Sequence, residues 1–232
     1  MMFKLLPLLA LVVYGFAMWR FSAWKLAREL DARSRPLRDA RLAPVLGRLA
    51  KAIGVARIPV HVYEIDPING LAAPDGRVFL TRGFVNALDR GQVTPEELGA
   101  VVAHELGHVA LGHSRRRMID FTGQNALRMV LATVLGRFLP GIGVWVANLA
   151  ASALAARLSR QDEYEADAWA SALLVKAGIG TAPQKALFTR LDRLTGAPGA
   201  STPAWILSHP KSPDRIAAIE ALEARWRRAP RD

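Results

Sequence analysis

The stretch His104-Glu105-Leu106-Gly107-His108 sets two imidazoles four positions apart with a carboxylate between them. On a helix, residues at i and i+4 stand one turn above each other on the same face, so both rings can reach one metal ion. Glu105 lies a step round the helix, within reach of a water held on that ion. Two ligands do not complete such a site, because a catalytic zinc takes three protein ligands and keeps a fourth position open. The third must come from elsewhere in the chain.

His113 is the nearest candidate. In the pattern where a third histidine follows the second by six positions, with a glycine three after it, those positions here hold Ser114 and Leu111, so the pattern fails. His113 reads instead as a cation favoured by the dipole at a helix C-terminus. His61, in a strand-like run, has no ligand spacing to another histidine and reads as structural. The chain has no cysteine, which excludes disulfides, thiolate ligands and a cysteine nucleophile.

That leaves the carboxylates of "SRQDEYEADAWA" (159–170), where Asp162, Glu163, Glu165 and Asp167 cluster in a basic chain. The bland reading is a solvated helix face. At 3.6 residues per turn, however, Glu163 shares a side with Ala166, Asp167 and Ala170, while Asp162 and Glu165 point to the solvated side. A buried carboxylate needs a partner. Glu163 can supply an oxygen ligand, and Asp167, one turn on, can accept the outer N–H of a ligand histidine. Periodicity alone does not separate Glu163 from Asp162 or Glu165; only the shared face favours it.

The elements that must position these residues are marked by punctuation. Thr94 is an N-cap, Pro95 a first helical residue and Glu97 the closing member of a capping box, so the metal helix starts at 94–95. Upstream, β-rich runs at 58–64, 68–73 and 77–81, separated by Asp66-Pro67 and Pro74-Asp75-Gly76, predict a small antiparallel sheet. A short helix follows at 83–90. Residues 25–57 read as basic amphipathic helices broken near Ser34-Arg35-Pro36. Residues 119–158 are largely apolar around Pro140-Gly141 and read as a helical hairpin. The acidic helix ends at Gly178, and helices from 183 to 195 and from Ser212 to 228 close the chain.

With 232 residues, 31 Lys and Arg and 20 Asp and Glu, the net charge is +11. That suits an anionic membrane surface or a nucleic acid, and the absence of any nucleic-acid motif favours membrane lipid, with no nucleic acid as partner. Residues 1–24 read as a membrane anchor: Leu5 to Trp19 carry no charge, Trp19, Phe21 and Trp24 form an interfacial belt, and no small-residue cleavage site follows. Arg20, Lys25, Arg28, Arg33, Arg35, Arg38 and Arg41 follow the run, with only Lys4 and the amino terminus before it. The positive-inside rule then puts the body on the cytoplasmic side, as a single N-terminal span in a bacterial inner membrane, with a periplasmic body as the alternative. One crossing by the hairpin would part Glu163 from the histidines, so the crossings number zero or two. A second span over 117–137 would carry Arg117, Asp120, Arg128 and Arg137, so the hairpin packs on the domain or dips into the membrane surface, with two spans as the alternative. The sequence sets no oligomeric state.

Three blocks carry a resemblance: "AHELGHVALGH" (103–113), "SRQDEYEADAWA", and "SHPKSPDRI" (208–216), with "RIPVHVYEIDPINGLAAPDGRVFLTRGFV" ahead of them. Over about residues 40 to 225 the chain resembles the integral-membrane zinc metallopeptidases of the HtpX, CAAX prenyl protease 1 and OMA1 types. The resemblance implies an α+β, zincin-like fold, mostly helical, with the peptidase domain at 58–228. It implies one zinc ion held by His104, His108 and Glu163, Glu105 as general base, and Asp167 beside a ligand. It further implies that His209 stands near the reacting carbonyl, that Arg215 pairs with a carboxylate of the site, and that Asn69, Gly70 and Leu71 border the cleft. The family commonly has Asn-Ala-Phe at that last place, so the departure bears on substrate preference. The implied function is a membrane-anchored endopeptidase acting on proteins or peptides, in membrane protein quality control. A membrane-tethered scaffold with a structural metal is the rival, and Glu105 has no use in it.

Overall fold

The computed structural model of the chain describes residues 6–73, 75–113, 137, 142–195 and 212–228. The elements run α1 (Leu6–Arg33), β1 (Ser34–Pro36), α2 (Ala43–Ile53), β2 (Val60–Tyr63), β3 (Gly70–Ala72), β4 (Val78–Thr81), α3 (Arg82–Asp89), α4 (Pro95–Ala110), α5 (Gly143–Lys176), α6 (Ala182–Thr195) and α7 (Ser212–Arg228). They divide into two units, one of residues 1–33 and 114–158, the other of 34–113 and 159–232. The chain is mostly helical with a small sheet, an α+β arrangement.

The sheet corrects the expectation of antiparallel pairing throughout. Its order is β1-β2-β4-β3, with β2 and β4 parallel and the other two pairs antiparallel. Successive runs are neighbours by default, but the segment after β2 crosses the end of β4 and puts β3 on the outer edge. Gly83 makes that crossing possible, because a Cβ there would stand 2.0 Å from the Asp66 carbonyl oxygen. The fourth strand comes from Ser34–Pro36, read in the sequence only as a helix break. It pairs with β2, and Arg35 meets Glu64 at 2.9 Å. Glu64 also takes a two-pronged contact from Arg82, at 2.8 and 2.7 Å.

In the larger unit, α4 is the axis of the core. It starts as its capping box requires: the Thr94 hydroxyl accepts from the Glu97 N–H at 3.2 Å and the Glu97 carboxylate from the Thr94 N–H at 2.7 Å. Every residue from Glu97 to Gly107 is buried, the mark of a helix enclosed on all sides. Val45 and Leu49 of α2 lie against Gly99, where a Cβ would be 2.4 Å from Val45 Cγ1. Leu80, Phe84, Leu98, Val101, Leu187 and Leu191 fill the space between sheet and helices. Each such side chain contributes about 1.5 to 3 kcal/mol on burial.

In the smaller unit, α1 is one helix from residue 6 to 33, so no break separates the expected anchor from the basic segment behind it. The side chains of residues 1–12 lie outside those described, and with them much of the apolar run. Among the described residues no helix is long and apolar enough to cross a membrane. Of the expected hairpin, residues 119–136 and 138–141 lie outside the described residues. Residues 143–158 belong to α5, which continues unbroken through the acidic block to Lys176.

Candidate metal centre

Two helices build the centre. α4 carries His104 and His108 one turn apart, and the second half of α5 crosses it at Gly107, where a Cβ would stand 3.0 Å from the Ala166 carbonyl oxygen. Only a residue without a side chain lets the backbones approach so closely, and Glu163, one turn before Ala166, thereby comes level with the histidines. His104 Nε2 is 3.1 Å from His108 Nε2 and 3.3 Å from Glu163 Oε2, and His108 Nε2 is 3.5 Å from Glu163 Oε1. Two imidazole nitrogens facing each other beside a carboxylate share few protons among many lone pairs. A cation resolves that conflict. A tetrahedral ion with bonds of about 2.0 to 2.1 Å needs ligands about 3.3 Å apart, so the three donors fit one.

Behind His104 the support is deep. Its Nδ1 is 2.9 Å from Asp167 Oδ1, and Arg215 grips the same carboxylate with Nε at 2.6 Å and Nη2 at 2.7 Å. Arg215 is only 1 % exposed and lies over the Phe188 ring, 4.0 Å from its centre. Gln184 donates to the Asp167 carbonyl oxygen at 3.2 Å and accepts from the Ser171 hydroxyl at 2.7 Å. Burial pushes the Asp167 carboxyl up, but Arg215 and His104 outweigh it and hold it at about 2. Burial likewise pulls His104 down, yet Asp167 and Glu163 together lift it to about 9. The metal-free pocket thus holds a proton where the donors converge, in a field made for a cation.

Glu105 is buried on the same helix and faces β3. A Cβ on Gly70 would stand 3.3 Å from Glu105 Oε1 and 2.7 Å from Val101 Cγ1, so the glycine is what admits the carboxylate to the strand. The Asn69 side chain accepts from the Gly70 N–H at 3.0 Å, and the Asn69 N–H is held by the Thr81 hydroxyl at 2.9 Å. The Asn69 carbonyl accepts from Thr81 and the Ala73 N–H donates to Arg77, both toward β4. By alternation Gly70 and Ala72 turn their backbone groups to the outer edge.

The structure brings His104, Glu105, His108, Glu163, Asp167 and Arg215 together, with Asn69, Gly70 and Leu71 at the start of the edge strand. His209 lies outside the described residues. Two readings from spacing change. His113, read as a cation at the helix C-terminus, is buried between His108 and Glu165, and Asp162 is buried, not on the solvated face. The periodicity was counted for a free helix, whereas here more than one side of α5 is covered. Gly107 and Gln184 were not singled out from the sequence; the small residue facing an alanine across two metal helices was the available signal.

A family model described as Peptidase family M48 matches residues 36–223. Metalloprotease YcaL of Escherichia coli (strain K12) is 32% identical over 196 residues, covering 82% of this chain and 74% of that protein. A Protease HtpX homolog of Bordetella avium (strain 197N) is 29% identical over 233 residues, covering 84% and 75%. The mitochondrial metalloendopeptidase OMA1 of Homo sapiens is 26% identical over 172 residues, covering 70% of this chain and 32% of that protein. The donor set on α4 and α5 lies within the matched region, and the chain belongs to peptidase family M48 as a metalloendopeptidase.

Proposed function

We propose that the chain is a membrane-anchored, zinc-dependent endopeptidase that cleaves protein substrates in membrane protein quality control. The observation that carries the reading is the convergence of His104, His108 and Glu163 beside the Glu105 carboxylate and an edge strand. Two nitrogens and one oxygen suit zinc, a borderline-soft ion, better than calcium or magnesium, which prefer oxygen. When bound, zinc supplies Lewis acidity, polarising a carbonyl and lowering the pKa of water to about 7.

The chain's own residues do the rest. β3 holds an extended peptide along its outer edge through the Gly70 carbonyl and the backbone groups of Ala72, the Gly70 N–H being taken by Asn69. Asn69 and Leu71 shape that border. Glu105 takes a proton from the attacking water at its carboxylate and returns it to the leaving amine. His209 donates to the negative charge growing on the substrate carbonyl oxygen. Asp167, fixed by Arg215, keeps the His104 ring turned so that Nε2 faces His108 and Glu163, where the three residues would hold the ion.

Glu105→Gln should keep the metal and lose cleavage of an unfolded test protein by at least about a hundredfold, whereas Glu163→Ala should lose the metal itself. Metal analysis and gel-based cleavage on the same preparations check both. Cleavage at the wild-type rate by Glu105→Gln would remove the proposed base.

A further inference from the structure

His108 has a second nitrogen, and it meets a histidine. The Nδ1 atoms of His108 and His113 are 2.8 Å apart, so one carries a hydrogen and the other accepts it. Gly112, with φ of 67°, turns the chain beyond α4 and brings His113 back against the helix, where it is 1 % exposed. On its far side, His113 Nε2 is 3.3 Å from Glu165 Oε2 and 3.8 Å from Asp162 Oδ1. Gln161 donates to the other Glu165 oxygen at 3.0 Å, which orients the carboxylate.

Ionised carboxylates only accept, so the hydrogen of a neutral His113 belongs on Nε2. Its Nδ1 is then an acceptor and takes the hydrogen of His108 Nδ1. That leaves the His108 lone pair on Nε2, the atom facing His104 and Glu163. We propose that His113, held by Glu165 and Asp162, is a positioning residue that fixes the tautomer and ring plane of His108 for metal binding. The proposal rests on the metal-site reading above. It gives the second histidine a support that parallels Asp167 behind the first, with an imidazole placed between ligand and carboxylate.

The same cluster has another conceivable use, as a second cation site, because donor atoms of His113, Asp162 and Glu165 lie within 4.8 Å of one another. The hydrogen positions argue against it. A cation on Nε2 of each ring would leave both neutral imidazoles with their hydrogen on Nδ1, and two N–H groups would face each other at 2.8 Å.

The test is a Co²⁺ titration of the metal-free full-length protein against a competing chelator, with stoichiometry, in wild type, His113→Phe and His113→Gln. One ion per chain is expected. His113→Phe should bind about tenfold to a hundredfold more weakly. His113→Gln should recover most of the loss, since its amide oxygen can accept from His108 while its NH₂ donates to Glu165. Nitrogen NMR of the zinc-loaded wild type, which needs no variant to fold, should show His113 protonated at Nε2 and bare at Nδ1. Unchanged affinity in His113→Phe, equal weakening in both variants, a hydrogen on His113 Nδ1, or a second ion that Glu165→Ala removes would each overturn the proposal and leave the metal site standing. A wild type that takes up no ion would overturn both.

Discussion

At the scale of the residue, the centre is governed by which groups hold protons. In the metal-free protein His104 titrates at about 9, above its ordinary 6.5. The stability this contributes is present below pH 6.5 and lost as pH rises through about 9. A metal ion needs the neutral ring, so at neutral pH it must displace that proton. Apparent metal affinity should therefore rise by about one decade per pH unit toward pH 9 and then level off. Chelator competition across that range measures it, and a flat profile would contradict the proton-holding pocket. Asp167 has the opposite sign. Its pKa of about 2 lies below the ordinary 3.8, so its contribution is present above 3.8 and lost as pH falls through 2. Removing its partner is more costly than acid. Arg215→Met would strip the buried Asp167 charge of its two-pronged guanidinium and leave it to His104, at a cost of about 3 to 5 kcal/mol in urea unfolding. Asp167→Asn in the same chain should recover part of that, and a loss under about 1 kcal/mol in the single variant would count against a charged pair.

At the scale of the element, two glycines decide what the helices and the edge strand can present. Gly107 sets the approach of α4 to α5, and Gly70 sets the approach of α4 to β3. Their substitutions should fail differently. Gly107→Val drives the backbones apart at Ala166, withdraws Glu163 from the histidines and should lower metal occupancy. Gly70→Ala disturbs Val101 and Glu105 while the three donors stay in place, so metal remains and cleavage drops by about tenfold to a hundredfold. Equal metal loss in both would mean that Gly70 supports the fold as a whole. Much of this level was legible beforehand. The capping box located α4, the i,i+4 spacing paired the histidines, and the shared face of Glu163, Ala166 and Asp167 pointed inward. Parallel pairing of β2 with β4, the use of Ser34–Pro36 as a strand, and the burial of His113 and Asp162 were not. Those depend on Gly83 admitting a crossover, on a partner strand more than twenty residues away, and on a neighbour covering a second side of α5. Periodicity within one segment carries none of that.

At the scale of the whole molecule, apolar exposure is distributed unevenly. Among the described residues, Val13, Tyr14, Phe16, Phe21, Trp24, Ile142, Val144, Trp145 and Leu149 are exposed large apolar side chains of the smaller unit, against Val55, Val175 and Trp226 in the larger. Water is a poor solvent for such a concentration of surface, and a lipid phase is a good one. The proposed anchor gives it that phase. On the proposed orientation, the basic residues that follow Trp19, with the chain's net charge of +11, would meet an anionic cytoplasmic leaflet. Two consequences are separable by experiment. The full-length protein expressed in bacteria should stay with membranes through alkaline carbonate extraction, because apolar burial is insensitive to charge and pH. A C-terminal tag should be digested by added protease in inverted inner-membrane vesicles and survive in intact spheroplasts. Release by carbonate would reduce the association to electrostatics and remove the anchor. Retention with the tag digested in spheroplasts would keep the anchor and place the peptidase on the periplasmic side, against the direction set by the basic residues.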